Sequence, residues 1–233
     1  MNKKIMNLPH KVNKKIDLIE FNKIKAIFRR EFKRGTFKLL DVGSGLCSFP
    51  NYIKNEFENA KIYCIDINKD LVDLATKSGY NAQEGDLTKL NYNDNTFDVV
   101  HCSHVVEHLP YPHVIEAIDE LVRVCKSNGL IIIRSPLWAN HRFYNDIDHI
   151  RPYPPNSILN YFANQQQQKV SKHRIVEEDR WYTKIYYEIN PLRFNYKIIK
   201  YINFFLKISW LFLSFPIDRP NNYGIVLRKR SGL

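Results

Sequence analysis

Several groups of residues in this chain have types and spacings that could do chemistry. Gly43-Ser44-Gly45 follows directly on the apolar run Leu39-Leu40-Asp41-Val42. Glycines placed there allow a tight turn and let the backbone approach a ligand closely. Asp66 ends the next apolar run, Lys61-Ile62-Tyr63-Cys64-Ile65, and Gly85-Asp86-Leu87 closes a weaker one. An acid about 20 residues beyond a glycine turn is placed to grip two ribose hydroxyls, and the acid beyond it to meet an adenine edge. A histidine group follows: His101, His104 and His108, with Glu107 among them. Its spacing admits a metal site, but His101 falls on the strand itself, so no metal is assigned and His104 is the member expected at an active site. The last group runs from His141 through Asn145, Asp146, Asp148 and His149 to Arg151 and Tyr153. There His149 can act as a base or orient an acceptor, with Asp146 or Asp148 behind it. Alternatively His149 and Arg151 only anchor the loop to a helix starting near Pro155; both readings stay open.

The elements that must carry these residues alternate. A basic amphipathic helix is expected over residues 16–34, with Ile16, Ile19, Ile24, Ile27 and Phe28 at helical spacing and Gly35 as its stop. Strands are expected over 37–42, 61–65, 80–84, 97–102 and 130–133. Helices are expected through Tyr52, Ile53 and Phe57, from Leu71 to Lys77, and from Pro112 to Cys125. Such alternation predicts an α/β fold, Rossmann-like and doubly wound, with a mostly parallel seven-stranded sheet and helices on both faces. Ligands in such a sheet bind at the carboxyl ends of the strands, which is where the glycines, acids and histidines fall. A sixth strand is expected over 169–176 and a last one over 224–228. We therefore divide the chain into a basic N-terminal helical extension, 1–35, and a main domain, 36–233, with an insertion at 177–219 before the last strand. The Gln165–168 run reads as a loop or helix end.

The glycine loop, the acid after the second strand and Gly85-Asp86-Leu87 occur in the order seen in class I S-adenosylmethionine-dependent methyltransferases, and the chain resembles them. Further support comes from Phe97-Asp98-Val99-Val100, then Ser103 to Leu109, then Glu120-Leu121-Val122-Arg123-Val124 leading to Ser127-Asn128-Gly129. This set resembles the branch that includes quinone-biosynthesis enzymes and many sugar methyltransferases. The resemblance implies S-adenosylmethionine as cofactor. Asp41 and Gly43, Ser44 and Gly45 would cradle its methionine part, Asp66 would take the ribose hydroxyls and Ile67 would lie on the adenine. Asp86 would accept from the adenine amino group beside Leu87, with Ser103 and His104 near the sulfonium. The stretch around His149 resembles one found in members linked to surface glycans, so O-methylation of a sugar, glycan or other small-molecule hydroxyl is the leading expectation. Two positions depart from the family: Cys47 replaces a third glycine, facing either the methionine tail or the helix packing, and Ser127-Asn128-Gly129 replaces Pro-Gly-Gly. A dehydrogenase fits less well, because its Gly-x-Gly-x-x-Gly fingerprint lacks the third glycine after Gly43 and Gly45.

Composition bounds the remaining alternatives. The chain has 233 residues and a net charge of +11. Residues 1–35 hold eleven basic side chains against three acidic ones, and 192–233 hold eight against one, so the middle is mildly acidic. A basic groove through the core, as nucleic-acid binding would want, is therefore not expected; a nucleic-acid-binding module using the basic ends is the alternative of another class. The four cysteines show no C-x-x-C spacing and read as buried thiols. No secretory signal is visible, so the cytoplasm is expected, with a peripheral position on an anionic membrane as a variant. Residues 198–216 are apolar but interrupted by Lys200, Asn203 and Lys207. They read as a lid over the acceptor, a homodimer surface, or an in-plane membrane helix serving a lipid or quinone-like acceptor.

Overall fold

A computed structural model describes residues 8–33, 35–137, 141–163, 171–186, 189, 196–215 and 217–231. The Gln165–168 run and residues 169 and 170 lie outside the described residues. The elements in chain order are α1 (Leu8–Phe32), β1 (Phe37–Val42), α2 (Ser48–Glu56), β2 (Ala60–Asp66), α3 (Lys69–Lys77), β3 (Asn81–Glu84), β4 (Phe97–Ser103), α4 (His113–Val124), β5 (Cys125–Pro136), α5 (Pro155–Phe162), β6 (Ile175–Tyr186), α6 (Tyr196–Leu213) and β7 (Ile217–Lys229). Single 3₁₀ turns at Val106–His108 and His141–Asn145 follow β4 and β5.

The strands form one seven-stranded sheet in the order β3-β2-β1-β4-β5-β7-β6. Only β7 runs against its neighbours. The expected α/β, doubly wound, mostly parallel sheet is therefore present, with the order reversing between β1 and β4. That reversal splays the loops after β1 and β4 apart and opens a crevice at their carboxyl ends. Asp41 and His101 face each other across the β1–β4 register there, and Ser103 faces Arg134 across β4–β5.

Each sheet face is covered by helices whose apolar residues recur every three or four positions. On one face α4 buries Val114, Ala117, Ile118, Leu121 and Val122, and α5 buries Ile158, Tyr161 and Phe162. On the other, α1 lays Phe21, Ile24, Ile27 and Phe28 on Phe37, Leu39, Val99, Leu130 and Ile132. Burying each such side chain stabilises by about 1.5–3 kcal/mol, which is enough to hold a helix this rich in Lys and Arg on the sheet. α1 starts at Leu8, well before the expected Ile16, and its first turns reach past the sheet towards α6. There Val12 and Ile16 meet Ile185 and Trp210.

Three strand boundaries also differ from the sequence expectation, one being the last strand, which begins at Ile217 and not at Gly224. β6 continues to Tyr186, because Trp181, Thr183 and Ile185 alternate inward against β7. The segment between the last two strands is correspondingly shorter, and α6 occupies it. β5 begins at Cys125 and not at Leu130: Asn128, at φ 62, and Gly129 form an excursion inside the strand, where the β4–β5 register shifts. A Cβ on Gly129 would stand 2.7 Å from Cys125 Sγ, so the departure at 127–129 keeps the one glycine this tight path requires.

Candidate functional site

The turn after β1 is built around Asp66. Gly43 and Ser44 donate their backbone N–H groups to the Ile65 carbonyl at 2.8 and 3.1 Å. Gly45 N–H donates to Asp66 Oδ2, and Asn68 N–H to Asp66 Oδ1, both at 2.9 Å. The acid that ends β2 thus fixes the glycine turn and keeps lone pairs for further donors. Gly43 has φ 70, and a Cβ there would stand 2.3 Å from Val105 Cγ2. The turn after β1 and the loop after β4 therefore touch at a point that only glycine fills.

The other expected cofactor residues line the same end of the sheet. Ile67 is 74% exposed just past Asp66, free to lie on a flat ring. Asp86 holds its own turn, accepting from Thr88 N–H and Oγ1 at 2.8 Å, and Leu87 is buried in the core below it. Ser44 is buried, and its hydroxyl has no partner among the described residues. Ser103 is half-buried at the end of β4. Asp41 is turned inwards: its Oδ1 meets His101 Nδ1 at 2.6 Å, and the imidazole lies on Phe49 with ring centroids 3.9 Å apart. Burial holds His101 below the usual histidine value against the opposing pull of Asp41. The neutral ring then donates from Nδ1 to the carboxylate. Cys47 caps α2 at φ 56 and is buried against the core beside Cys64. Of its two expected settings, helix packing is the one observed, and the left-handed backbone explains why glycine suits the position.

Past β4 the chain turns through His104, at φ 56, whose N–H donates to the Arg134 carbonyl at 2.9 Å. Its Nδ1 lies 3.3 Å from Oε1 of the fully buried Glu107. Ser135 Oγ donates to the other oxygen at 3.0 Å. Burial pushes the Glu107 carboxyl up, but His104, the backbone and Ser135 together outweigh it and hold the group below the ordinary glutamate value. Glu107 Oε1 has no hydrogen bond among the described residues, so the buried carboxylate stands beside the imidazole as a nearby negative charge.

The loop after β5 folds back onto this turn. Ile150 and Arg151 N–H groups donate to the Glu107 carbonyl at 2.9 and 3.2 Å. His149 Nδ1 contacts the Phe143 carbonyl at 2.8 Å, and its Nε2 lies 3.8 Å from Asp146 Oδ2. The structure thus brings His104 and His149 together, one from each loop. Both line a cavity of about 1030 Å³ with Phe143, Asn145, Asp146 and Ile147. The two readings of His149 are not exclusive in the structure: backbone bonds tie the loop down, and His149 still lines the cavity. His108 Nδ1 contacts the Asp148 carbonyl at 2.9 Å. Ligand atoms of Glu107, His108 and His149 lie within 4.8 Å of one another, so these three are the described residues that could hold a metal ion.

The remaining cavity wall escaped the sequence reading. Val12, Ile16 and Asp17 come from α1, Ile185 from β6, Lys207 from α6, and Asn221 and Asn222 from β7. Behind that wall Arg134, 2% exposed, pairs with Glu20 and reaches Asp17 at 3.3 Å. Thr183 Oγ1 donates to Glu20 at 2.5 Å. The signal was present as two misfits: an acid within the apolar stripe of α1, and an arginine inside a buried strand. Each supplies the charge the other needs. The cysteines play no part in the cavity. Burial pushes their thiols up, Cys125 to about 12.

Residues 40–133 match the family model described as "Methyltransferase domain". An uncharacterised protein of Methanocaldococcus jannaschii is 30% identical over 121 residues, covering 50% of this chain and 48% of its own. A probable methyltransferase, ltbC, of Aspergillus luteorubrus is 29% identical over 128 residues, covering 48% and 45%. The chain therefore spans about half the length of the curated relatives it matches. Among solved structures, a SAM-dependent methyltransferase from Archaeoglobus fulgidus superposes with a TM-score of 0.58 at 23% identity, covering 90% of this chain and 94% of its own. The YcgJ protein of Bacillus subtilis gives 0.57 at 17%, covering 89% and 98%. At these identities the structural likeness speaks for the fold.

Proposed function

We propose that this chain, whose residues 40–133 match a methyltransferase domain model, is a class I S-adenosylmethionine-dependent methyltransferase that methylates a hydroxyl of a sugar, glycan or other small polyhydroxylated molecule. The observation that carries the reading is continuity. Gly43 touches Val105, Val105 follows His104, and His104 opens on the cavity with His149.

The residues present fit the donor. The Gly43–Gly45 turn offers a cradle without a side chain, Asp66 offers carboxylate oxygens for ribose hydroxyls, and Ile67 offers an exposed apolar face. S-adenosylmethionine supplies, when bound, a methyl group already activated as a sulfonium. What the chain must add is alignment of the acceptor and a place for its proton. His104, backed by the Glu107 carboxylate, takes the proton from the acceptor oxygen as that oxygen becomes an ether. His149, held through Nδ1 by the Phe143 carbonyl, orients the same hydroxyl. Asn145, Asp146, Asn221 and Asn222 give the cavity the donors and acceptors that a polyol requires. The Phe143 ring, 4.7 Å from the His149 ring, closes one side against water.

A lipid or quinone-like acceptor is the second reading, favoured by the apolar wall of Val12, Ile16 and Ile185. RNA recognition would want bases stacked within a basic surface, whereas this cavity sets Asp17 and Asp146 against Lys207. The test is calorimetry with S-adenosylmethionine, followed by a labelled-methyl screen over sugar nucleotides, glycans and lipid extracts. With the acceptor found, His104→Ala and His149→Ala should each lower turnover by roughly 10²–10⁴ with donor affinity unchanged. Absence of donor binding by the wild-type chain would end the reading.

A further inference from the structure

α6 presents two faces of different character. Towards the body it buries Ile199 and Trp210. Trp210 sits among Val12, Ile16 and Ile185. Asn203 holds both the N–H and the carbonyl of Ile189, at 2.8 and 2.9 Å. The last turn is closed by Lys15, whose Nζ donates to the Trp210 and Leu211 carbonyls at 2.7 and 3.0 Å and to Ser214 Oγ at 2.9 Å. A cation at a helix C-terminus also offsets its dipole. The helix is therefore fixed firmly along one side.

At 3.6 residues per turn, Ile198, Tyr201, Ile202, Phe205 and Phe212 fall in one continuous stripe well round the helix from Ile199 and Trp210. These side chains are 40–80% exposed, with Phe212 at 80%, Tyr201 at 69% and Phe205 at 67%. Leu213 and Phe215 extend the patch, at 75% and 67%. A contiguous row of exposed aromatics on a rigid helix marks a binding surface.

We infer that α6 docks this protein on an anionic lipid bilayer, lying in the plane of the surface with Tyr201, Phe205 and Phe212 in the headgroup–acyl boundary. The charges favour lipid over a second copy of the chain. α6 carries Lys197, Lys200 and Lys207 and no acid, and the neighbouring turns of α1 expose Lys11 and Lys14. Lys197 flanks the stripe while Lys200 and Lys207 lie further round the helix, so pairing two copies through the stripe would bring two helices of net positive charge close together, whereas an anionic surface attracts that charge. Among the described residues no helix is long and apolar enough to cross a membrane, so docking is peripheral. The same helix lines the cavity through Lys207, which makes docking and acceptor access properties of one element. The inference stands apart from the identity of the acceptor.

The experiment is co-sedimentation of the full chain with vesicles of phosphatidylglycerol and phosphatidylcholine, and with phosphatidylcholine alone, at low and high salt. The wild-type chain should bind the anionic vesicles, weaken steeply with salt, and bind neutral vesicles at least about tenfold less well. Phe205→Ser with Phe212→Ser should weaken binding by roughly 100-fold, about tenfold per aromatic withdrawn from the interface. Both side chains are exposed, and an unchanged melting temperature will show that the variant is folded. No binding of the wild-type chain to anionic vesicles at low salt would overturn the inference. So would unchanged binding of the double variant, or a dimer in light scattering that the double variant dissolves. S-adenosylmethionine calorimetry on the same samples separates the two claims, because loss of donor binding counts against the methyl-transfer reading and leaves docking untouched.

Discussion

Replacing Gly43 by alanine tests whether the turn after β1 and the loop after β4 act as one unit. The new Cβ would stand 2.3 Å from Val105 Cγ2, 3.7 Å from its Cβ and 4.0 Å from Cγ1. Carbon atoms rest at about 3.5–4.0 Å, so Val105 must retreat by more than an ångström. Overpacking of this kind costs about 1–3 kcal/mol. The left-handed backbone, φ 70, adds about 1–2 kcal/mol for any residue with a Cβ. The sum, about 2–5 kcal/mol, corresponds to a fall in melting temperature on the order of 5–15 °C for a chain of this size. Because Val105 follows His104 and precedes the turn holding Glu107, donor affinity should weaken at least about tenfold as well. The informative partner is Val105→Ala. Adding it to Gly43→Ala removes the clashing Cγ2 and leaves only contacts of ordinary length, so the double variant should recover the overpacking part while the backbone part persists. Thermal unfolding and donor calorimetry on the four proteins give the coupling energy, expected at about 1–3 kcal/mol. A coupling within about 0.5 kcal/mol of zero, the scatter of independent sites, would refute the claim that the two loops meet at Gly43.

Two further outcomes follow from buried charge. Arg134→Ala leaves the fully buried Glu20 without its charged partner and should destabilise by about 3–5 kcal/mol; urea unfolding measures it, and a change under 1 kcal/mol would remove the pair from the account. His101 is held below the usual histidine value by burial, so the unfolded chain binds its proton more readily than the folded one. Stability from this source is complete above about pH 6.5 and is lost as pH falls below it, until the depressed folded value is reached. His173 is shifted in the same direction, also chiefly by burial. His101→Gln should therefore make the decline between pH 7.5 and 5 shallower without abolishing it, and an unchanged slope in urea unfolding at several pH values would count against a neutral buried His101.

The sheet, its strand alternation and the glycine- and acid-lined end of its strands were legible because they rest on local chemistry. Val99-Val100 and Ile131-Ile132-Ile133 are apolar runs that a parallel strand requires, and glycine at 43 answers a backbone need. The placing of His104 and His149 on one cavity was only half legible. Each residue could be assigned to a loop after a strand, but their meeting depends on the Glu107 carbonyl accepting from Ile150 and Arg151, a bond between segments that no spacing rule reports. The α1 and α6 contributions were hidden for the same reason. Lys15 and Trp210 are far apart in sequence, and only the assembled fold puts the ammonium 4.5 Å over that ring. The extent of β6 was misjudged because Glu177, Glu178, Asp179 and Arg180 look like a loop in composition. On an edge strand such residues face solvent, and Arg180 pairs with Glu177 at 2.6 Å.

The uneven charge of α1 has a structural cause that bears on where the protein works. Its three acids are directed inwards or across the fold: Asp17 and Glu20 hold Arg134, and Glu31 holds Arg228 at 2.7 Å. Two of its cations, Lys25 and Arg29, clasp Glu56 of α2 at 3.1 and 3.0 Å. What is left exposed towards solvent is basic, notably Lys11, Lys14 and Lys23. The net charge of the helix therefore understates how positive its outer surface is, because the negative half is spent on the body. A basic outer surface on α1 beside the aromatic stripe of α6 suits an anionic bilayer, whereas the cavity itself mixes Asp17 and Asp146 with Lys207. Charge is thus divided between two places: cations on the outer surface of α1, and a near-balanced set of Asp17, Asp146 and Lys207 in the cavity, so raising the salt concentration should weaken the proposed docking while leaving the cavity's charge balance in place.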